Sequence, residues 1–381
     1  MNRRLFWVFA LSSAVYFTQG IEGIPSQALF YYMKETLRFS AEKIMLLSSI
    51  IISAWLVKPL IGYTIDNFFN KRIWIFIALL LDVILVLFLG LVALPIGMII
   101  AILLVNSTSS AFRDVAVDGI MCVEGKKNGA TGKIQSIQWI SISVAGLLTG
   151  IGGGFIAEKW NYQAAFLCLI PVYLAVALVV YFYKEEDGMK HKPVSTFFAD
   201  MKRLFADKKI IVICLFIFLY AYAPSFGTKL LFIQRDIFKW SKIWIGTLAT
   251  IGTIFQIIGA LFYYKFSQRI NIKKWLFFSV FLGASTTLSY LYYTPITAVV
   301  YNTLYSFIGM FIFLMVMDFM ARNSVQGLEA TSFALLCSVN NLAQVASSFS
   351  GGILLPVLGL KPLIIVSSLT SFLCLFLINK V

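Results

Sequence analysis

The run AFRDVAVDGIMCVEG, residues 111–125, places Arg113, Asp114 and Asp118 close together, and the run before it, LVALPIGMIIAILLV, is without a single charge. An ionised side chain at the centre of a bilayer costs about 2.5–3.5 kcal/mol even on an insertion scale, so such groups face a bundle interior and find a partner. Two kinds of chemistry fit: a structural ion pair at a helix end, or a charge held ready for a solute or a proton. Ser110, Asp114 and Asp118 are spaced i, i+4, i+8 and share one helical face, with Arg113 turned toward the neighbouring face. Lys58 sits in AWLVKPLIG beside Pro59, which is expected to loosen the helix and free a backbone carbonyl. Glu22 lies in FTQGIEGIPSQ among Gly20, Gly23 and Pro25. Trp139 stands in QSIQWIS with Gln135 and Gln138, where it either lines a cavity and stacks on a flat ring or packs as ordinary core. Asn340 and Asn341 are uncharged donors and acceptors that either meet a solute or join helices.

The elements that must position these groups are transmembrane helices. Of 381 residues, 60% are hydrophobic and 13% charged, with a mean hydropathy of +0.88. A soluble chain of this length has no room to bury that much apolar surface. Hydropathy yields twelve spans, near 5–31, 41–66, 73–93, 95–121, 130–158, 162–183, 209–234, 241–268, 273–293, 296–321, 327–357 and 361–380. The net charge of +14 is not a nucleic-acid signature. Lys and Arg form no face or arm but crowd into alternate loops, which puts both termini in the cytoplasm. MNRR ahead of an apolar run is read as an uncleaved first span. The five cysteines lack metal spacing and read as small hydrophobes, so no metal and no cofactor is expected.

The chain repeats itself. Asp118, Ala130–Thr131 and Gly152 recur as Asp318, Ala330–Thr331 and Gly352 at one offset, and KETLRFS (residues 34–40) recurs as RDIFKWS (235–241). The domains are therefore expected at 1–183 and 209–381, with 184–208, which holds the lone His191, as a cytoplasmic linker. Lys58 and Glu22 have no counterpart in the second half. A charge that breaks the repeat is a better solute candidate than one that obeys it.

Six spans repeated in parallel resemble the major facilitator superfamily: an all-α membrane protein of twelve transmembrane helices in two pseudo-symmetric six-helix bundles, with a solute site near the bilayer midplane. Gly62, Asp66, Lys71 and Arg72 are similar to the superfamily's loop motif, with Asn67 in place of its first basic residue. The resemblance assigns Asp66, Lys71, Arg72 and Asp118 to a cytoplasmic gate, with Asp66 near the N-terminus of span eleven and the basic residues near an acid of span four.

WLVKPLIGYTID, RDVAVDG, GKIQSIQW, YFTQGIEGIP and above all GLEATSFALLCSVNNL resemble the folate–biopterin transporter family. The resemblance implies a secondary transporter for folate or pterin-like solutes that works by alternating access. On that reading Lys58 and Arg113 attract the solute's carboxylates, Asp114 accepts from the amino-pyrimidinone edge, and Trp139 stacks on the pterin. Gln135, Asn340 and Asn341 complete the polar lining. With His191 in a loop, coupling to protons falls to Glu22 or Asp114. The expected setting is a bacterial-type inner membrane, with the protein a monomer whose partners are solute, protons and lipid. The alternatives are a permease for S-adenosylmethionine, a nucleotide-like metabolite or a muropeptide. No P-loop, HExxH or GxSxG pattern points to ATP hydrolysis or enzymatic chemistry.

Overall fold

The computed structural model describes residues 3–39, 47, 48, 50, 51, 53–185, 199, 202, 204, 206–378 and 380. His191 and most of the linker lie outside them.

Among the described residues the helices group into twelve spans. The first half holds α1 (Arg3–Ile21), α2 (Gly23–Tyr31), α3 (Lys58–Asn67), α4 (Lys71–Leu91), α5 (Ile96–Asn128), α6 (Thr131–Lys159), α7 (Tyr162–Leu167) and α8 (Ile170–Phe182). The second holds α9 (Lys208–Ala221), α10 (Gly227–Phe232), α11 (Lys242–Phe266), α12 (Ile272–Ser289), α13 (Pro295–Arg322), α14 (Glu329–Leu358), α15 (Leu360–Ser371) and α16 (Leu375–Ile378). Eight stretches among the described residues are long and apolar enough to cross a membrane on their own.

Side-chain placement identifies the solvent around these helices. On α4, Leu80, Ile84 and Leu91 point outward while Asp82 is fully buried. That inversion is stable in hydrocarbon, where leucine is at home outside and a carboxylate is not. Helix ends follow local chemistry. Pro95 precedes α5, and Gly129, at φ 58°, ends it after Lys126 and Lys127, whose charges suit the negative end of the dipole. Asn161, Ser241 and Asn271 cap α7, α11 and α12 with side-chain oxygens.

The chain divides into two compact units, Met1–Pro193 with Ala321–Ala334, and Val194–Met320 with Leu335–Val381. In the first, α1 buries Val8, Leu11 and Val15 along one stripe. In the second, span seven unwinds between α9 and α10, where Tyr222–Phe226 is not helical. Its freed backbone groups are taken up by serines of spans eleven and twelve: Ser347 Oγ donates to the Ala223 carbonyl, Ser367 Oγ to the Pro224 carbonyl at 2.5 Å, and the Ser225 amide to the Ser347 carbonyl at 2.9 Å.

The sequence repeat reappears as a repeat of backbone course. Tyr32–Thr36 and Ile233–Ile237 are both single π-helical turns. Each is followed by a basic residue in the left-handed region, Arg38 at φ 52° and Lys239 at φ 56°. Matching amides close the two turns: Leu37 to the Tyr32 carbonyl and Phe39 to Met33, Phe238 to Ile233 and Trp240 to Gln234, all at 2.9–3.0 Å.

Candidate functional site

The polar face of α5 does what its spacing predicts. Ser110, Asp114 and Asp118 all meet the first span. Ser110 Oγ donates to Glu22 at 3.2 Å, Gln19 Nε2 donates to Asp114 at 2.8 Å, and Tyr16 Oη donates to Asp118 at 2.9 Å. Glu22 occupies the break between α1 and α2, where the helix reopens for one residue and turns a carboxylate into the bundle.

Arg113 is fully buried. Its Nη1 donates to Thr18 Oγ1 at 2.6 Å and its Nη2 to Glu22 at 2.5 Å. Its Nε lies 2.8 Å from Asp82 Oδ2, an ion pair not aligned as a hydrogen bond. The Tyr173 ring covers the guanidinium at 5.3 Å, and the Tyr173 hydroxyl donates to Glu22 at 2.9 Å. Asn106 donates to Asp82 at 2.8 Å. Two carboxylates thus share one guanidinium, which is spent on protein partners at all three nitrogens. The sequence reading expects Arg113 to face a solute. The structure instead gives it Asp82, because the face of α5 next to the polar one turns toward α4.

Lys58 pairs with Asp114 at 2.6 Å and lies 4.4 Å from the centre of the Trp55 ring. Trp55 is itself held by its indole N–H on Ser107 at 3.1 Å. This pair is more accessible than the arginine: the Lys58 side chain is 12% exposed and that of Asp114 5%. Pro59 does not kink a helix. A 3-10 turn, Ser53–Val57, gives way to α3 at Lys58, and Pro59 falls in the first helical turn, where no amide is required.

Asp118 lies one turn further along. Besides Tyr16 it accepts from Gln138 Nε2 at 3.1 Å. Trp139 meets the Tyr16 ring edge-on at 6.3 Å. Gln135 is buried, with its amide nitrogen 3.6 Å from the Met121 sulfur. The amide oxygens of Gln135 and Gln138 find no hydrogen-bond donor among the described residues.

At the end of α3, Asp66 accepts from the Ala330 and Thr331 amides at 3.2 and 2.8 Å and from the Thr331 hydroxyl at 2.7 Å, capping α14 from another span. Gly62 makes the approach possible, since a Cβ there would sit 2.8 Å from the Ala330 carbonyl oxygen and the Thr331 Cα. Lys71 lies 3.4 Å from Asp66 and passes over Gly119, whose missing side chain leaves it room. Arg72 takes a different course from the one the loop motif implies. It does not reach Asp118 but donates to the Val180 and Tyr181 carbonyls at 2.9 and 2.7 Å, while its amide donates to Glu185 at 2.8 Å. Burial raises the Glu185 carboxyl above the usual carboxylate range, against the pull of Arg72 and Lys71.

The second unit is poorer in such groups. Asp318 is buried and accepts from Tyr263 at 2.8 Å, Asn340 is half-buried and Asn341 exposed. Sequence reasoning did not find Tyr16, Gln19, Thr18 or Tyr173 as partners. The i, i+3 spacing of Tyr16 and Gln19, continued to Glu22, is the signal that marks them.

Helical spans that keep charges paired inside and leucine outside define a multi-pass membrane protein, and its fold is that of the major facilitator transporters. The fold is similar to the Escherichia coli fucose:proton symporter FucP, TM-score 0.74 at 13% identity over 98% of both chains. It is also similar to the human organic anion transporter MFSD10, TM-score 0.72 at 14% identity over 99% of both. The chain belongs to the BT1 family, whose model matches residues 19–379. It is 24% identical to the Folate-biopterin transporter of Synechocystis over 96% of this chain and 80% of that one. It is 22% identical to the Probable folate-biopterin transporter 4 of Arabidopsis thaliana, over 93% and 89% of the respective chains. It is 20% identical to Folate transporter 1 of Plasmodium falciparum, over 90% and 72%.

Proposed function

We propose that the protein carries folate or a pterin-like anion across the inner membrane by alternating access, in symport with protons. Residues 184–208 link the two moving halves, both termini are cytoplasmic, and the carrier is a monomer. The observation that carries the reading is the Lys58–Asp114 pair, partly accessible and set against Trp55. A solute carboxylate competes with Asp114 for the Lys58 ammonium. Asp114, released, accepts the amino-pyrimidinone edge or takes a proton. Trp139 and Gln135, both on α6, supply a ring face and an amide. Arg113 acts through Glu22 and Asp82, as a positioning residue for the two acids. An excess of carboxylate over cation around it supports Glu22 as the proton carrier, because buried net charge is costly. Asp66, Lys71, Arg72 and Asp118 form the cytoplasmic gate, with Asp66 fastening α14.

The test is uptake of labelled folate and biopterin into proteoliposomes under an imposed proton gradient. The wild type accumulates them, and Lys58→Ala lowers uptake by about tenfold or more, the loss of one charge-assisted contact. Unchanged uptake by Lys58→Ala removes that residue from the site. Accumulation of S-adenosylmethionine in place of folate assigns a different cargo.

A further inference from the structure

The repeat builds one groove twice. In the first unit Trp74, Ile77, Leu81 and Phe112 line a groove of about 240 Å³ on α4 and α5. In the second, Trp275, Phe278 and Leu282 stand at the equivalent positions of α12, and Phe262 of α11 with Phe307 and Phe311 of α13 close a groove of about 200 Å³. Phe262, Trp275 and Phe278 are 49%, 42% and 54% exposed, so the groove opens on lipid.

The cations beside the two grooves differ. Just before Trp74, Lys71 is taken up by Asp66, and the Arg72 guanidinium by the Val180 and Tyr181 carbonyls at the end of α8. Lys273 and Lys274, just before Trp275, are exposed, as are Lys265, one turn beyond Phe262, and Arg269 in the intervening turn. None of the four forms an ion pair with a described residue. The sequence provides no local acid either: from Asp236 to Asp318 there is no other aspartate or glutamate. Four cations with no acidic partner among the described residues, at the rim of an apolar, aromatic groove, match a ligand with an anionic head and a hydrocarbon chain.

We propose that the groove between α11, α12 and α13 is a binding site for an anionic phospholipid. Its phosphate rests among Lys265, Arg269, Lys273 and Lys274, and one acyl chain lies along Trp275, Phe278 and Phe311. The first groove, with its cations spent, binds lipid without regard to headgroup charge. The site is independent of the transported solute.

The test is native mass spectrometry of the purified full chain with phosphatidylglycerol or phosphatidylcholine of identical chains, alongside thermal unfolding in the same detergent. Phosphatidylglycerol is expected to be retained about fivefold or more over phosphatidylcholine, to raise the unfolding temperature, and to weaken as salt is raised. Lys273→Gln with Lys274→Gln removes the preference. Leu282→Trp, which fills the groove and keeps every cation, lowers phosphatidylglycerol retention. Glycerol 3-phosphate, the charge without the chains, does not compete. Equal retention of the two lipids by the wild type, a preference untouched by salt, or full retention by Leu282→Trp overturns the proposal. Should the double lysine variant insert poorly, the salt series and Leu282→Trp decide the matter.

Discussion

Arg113 shows how a buried charge is made tolerable and what that costs in freedom. Its three nitrogens reach Thr18, Glu22 and Asp82, so loss of the guanidinium strands two carboxylates, that of Asp82 fully buried. Arg113→Ala is expected to lose about 3–5 kcal/mol of stability, the penalty for orphaning a buried ionic partner. Asp82→Asn in that background is expected to recover part of it, since the two sites share one interaction. Thermal unfolding in detergent measures both. Glu185 gives a pH signature at the membrane boundary. Its folded carboxyl lies above its unfolded value, so its contribution to stability is full below the ordinary carboxylate range and is lost as pH rises through the raised value. Unfolding temperature is expected to fall over that interval, and Glu185→Gln, which still accepts from the Arg72 amide, is expected to flatten the slope. Arg113 and Glu22 were legible in the sequence as charges set within apolar spans. Their partners were not: Arg113 and Asp82 are 31 positions apart and Arg113 and Glu22 are 91, distances that only packing can close.

Among the elements, α3 and α14 meet by two devices that depend on each other. Gly62 brings the chain of α3 against the first turn of α14, and Asp66 then reaches three donors there. Gly62→Ala is expected to cost about 1–3 kcal/mol through overpacking, and Asp66→Ala about 1 kcal/mol through a lost cap. The double variant is expected to fall short of the sum, because the cap cannot form once the helices are pushed apart. Unfolding of the three variants in one detergent checks this. Hydropathy located the spans but not their interruptions. The opening at Glu22, the 3-10 turn before Lys58 and the unwound Tyr222–Phe226 lie inside runs that read as continuous. Such breaks are set by distant partners, serine hydroxyls in the case of span seven, and no local pattern records those.

For the whole molecule, symmetry of backbone and asymmetry of charge go together. The offset between halves was visible in the sequence, as was the absence of second-half counterparts to Lys58 and Glu22. The uneven pairing of Lys71 and Arg72 against Lys273 and Lys274 was not, because both pairs read alike as basic loops. If protons are carried by the first half, as proposed, Glu22→Gln should make uptake indifferent to the proton gradient, whereas Asp318→Asn should preserve that dependence. Transport assayed with and without an ionophore separates the two. The duplicated turn after spans one and seven carries a last implication. Its two copies agree in one of seven letters, the serine, yet steer the chain through the same π turn and the same left-handed bend. The bend is therefore written in the order of residue classes rather than in any one functional group, and transplanting either heptad into the other's place amounts to exchanging synonyms.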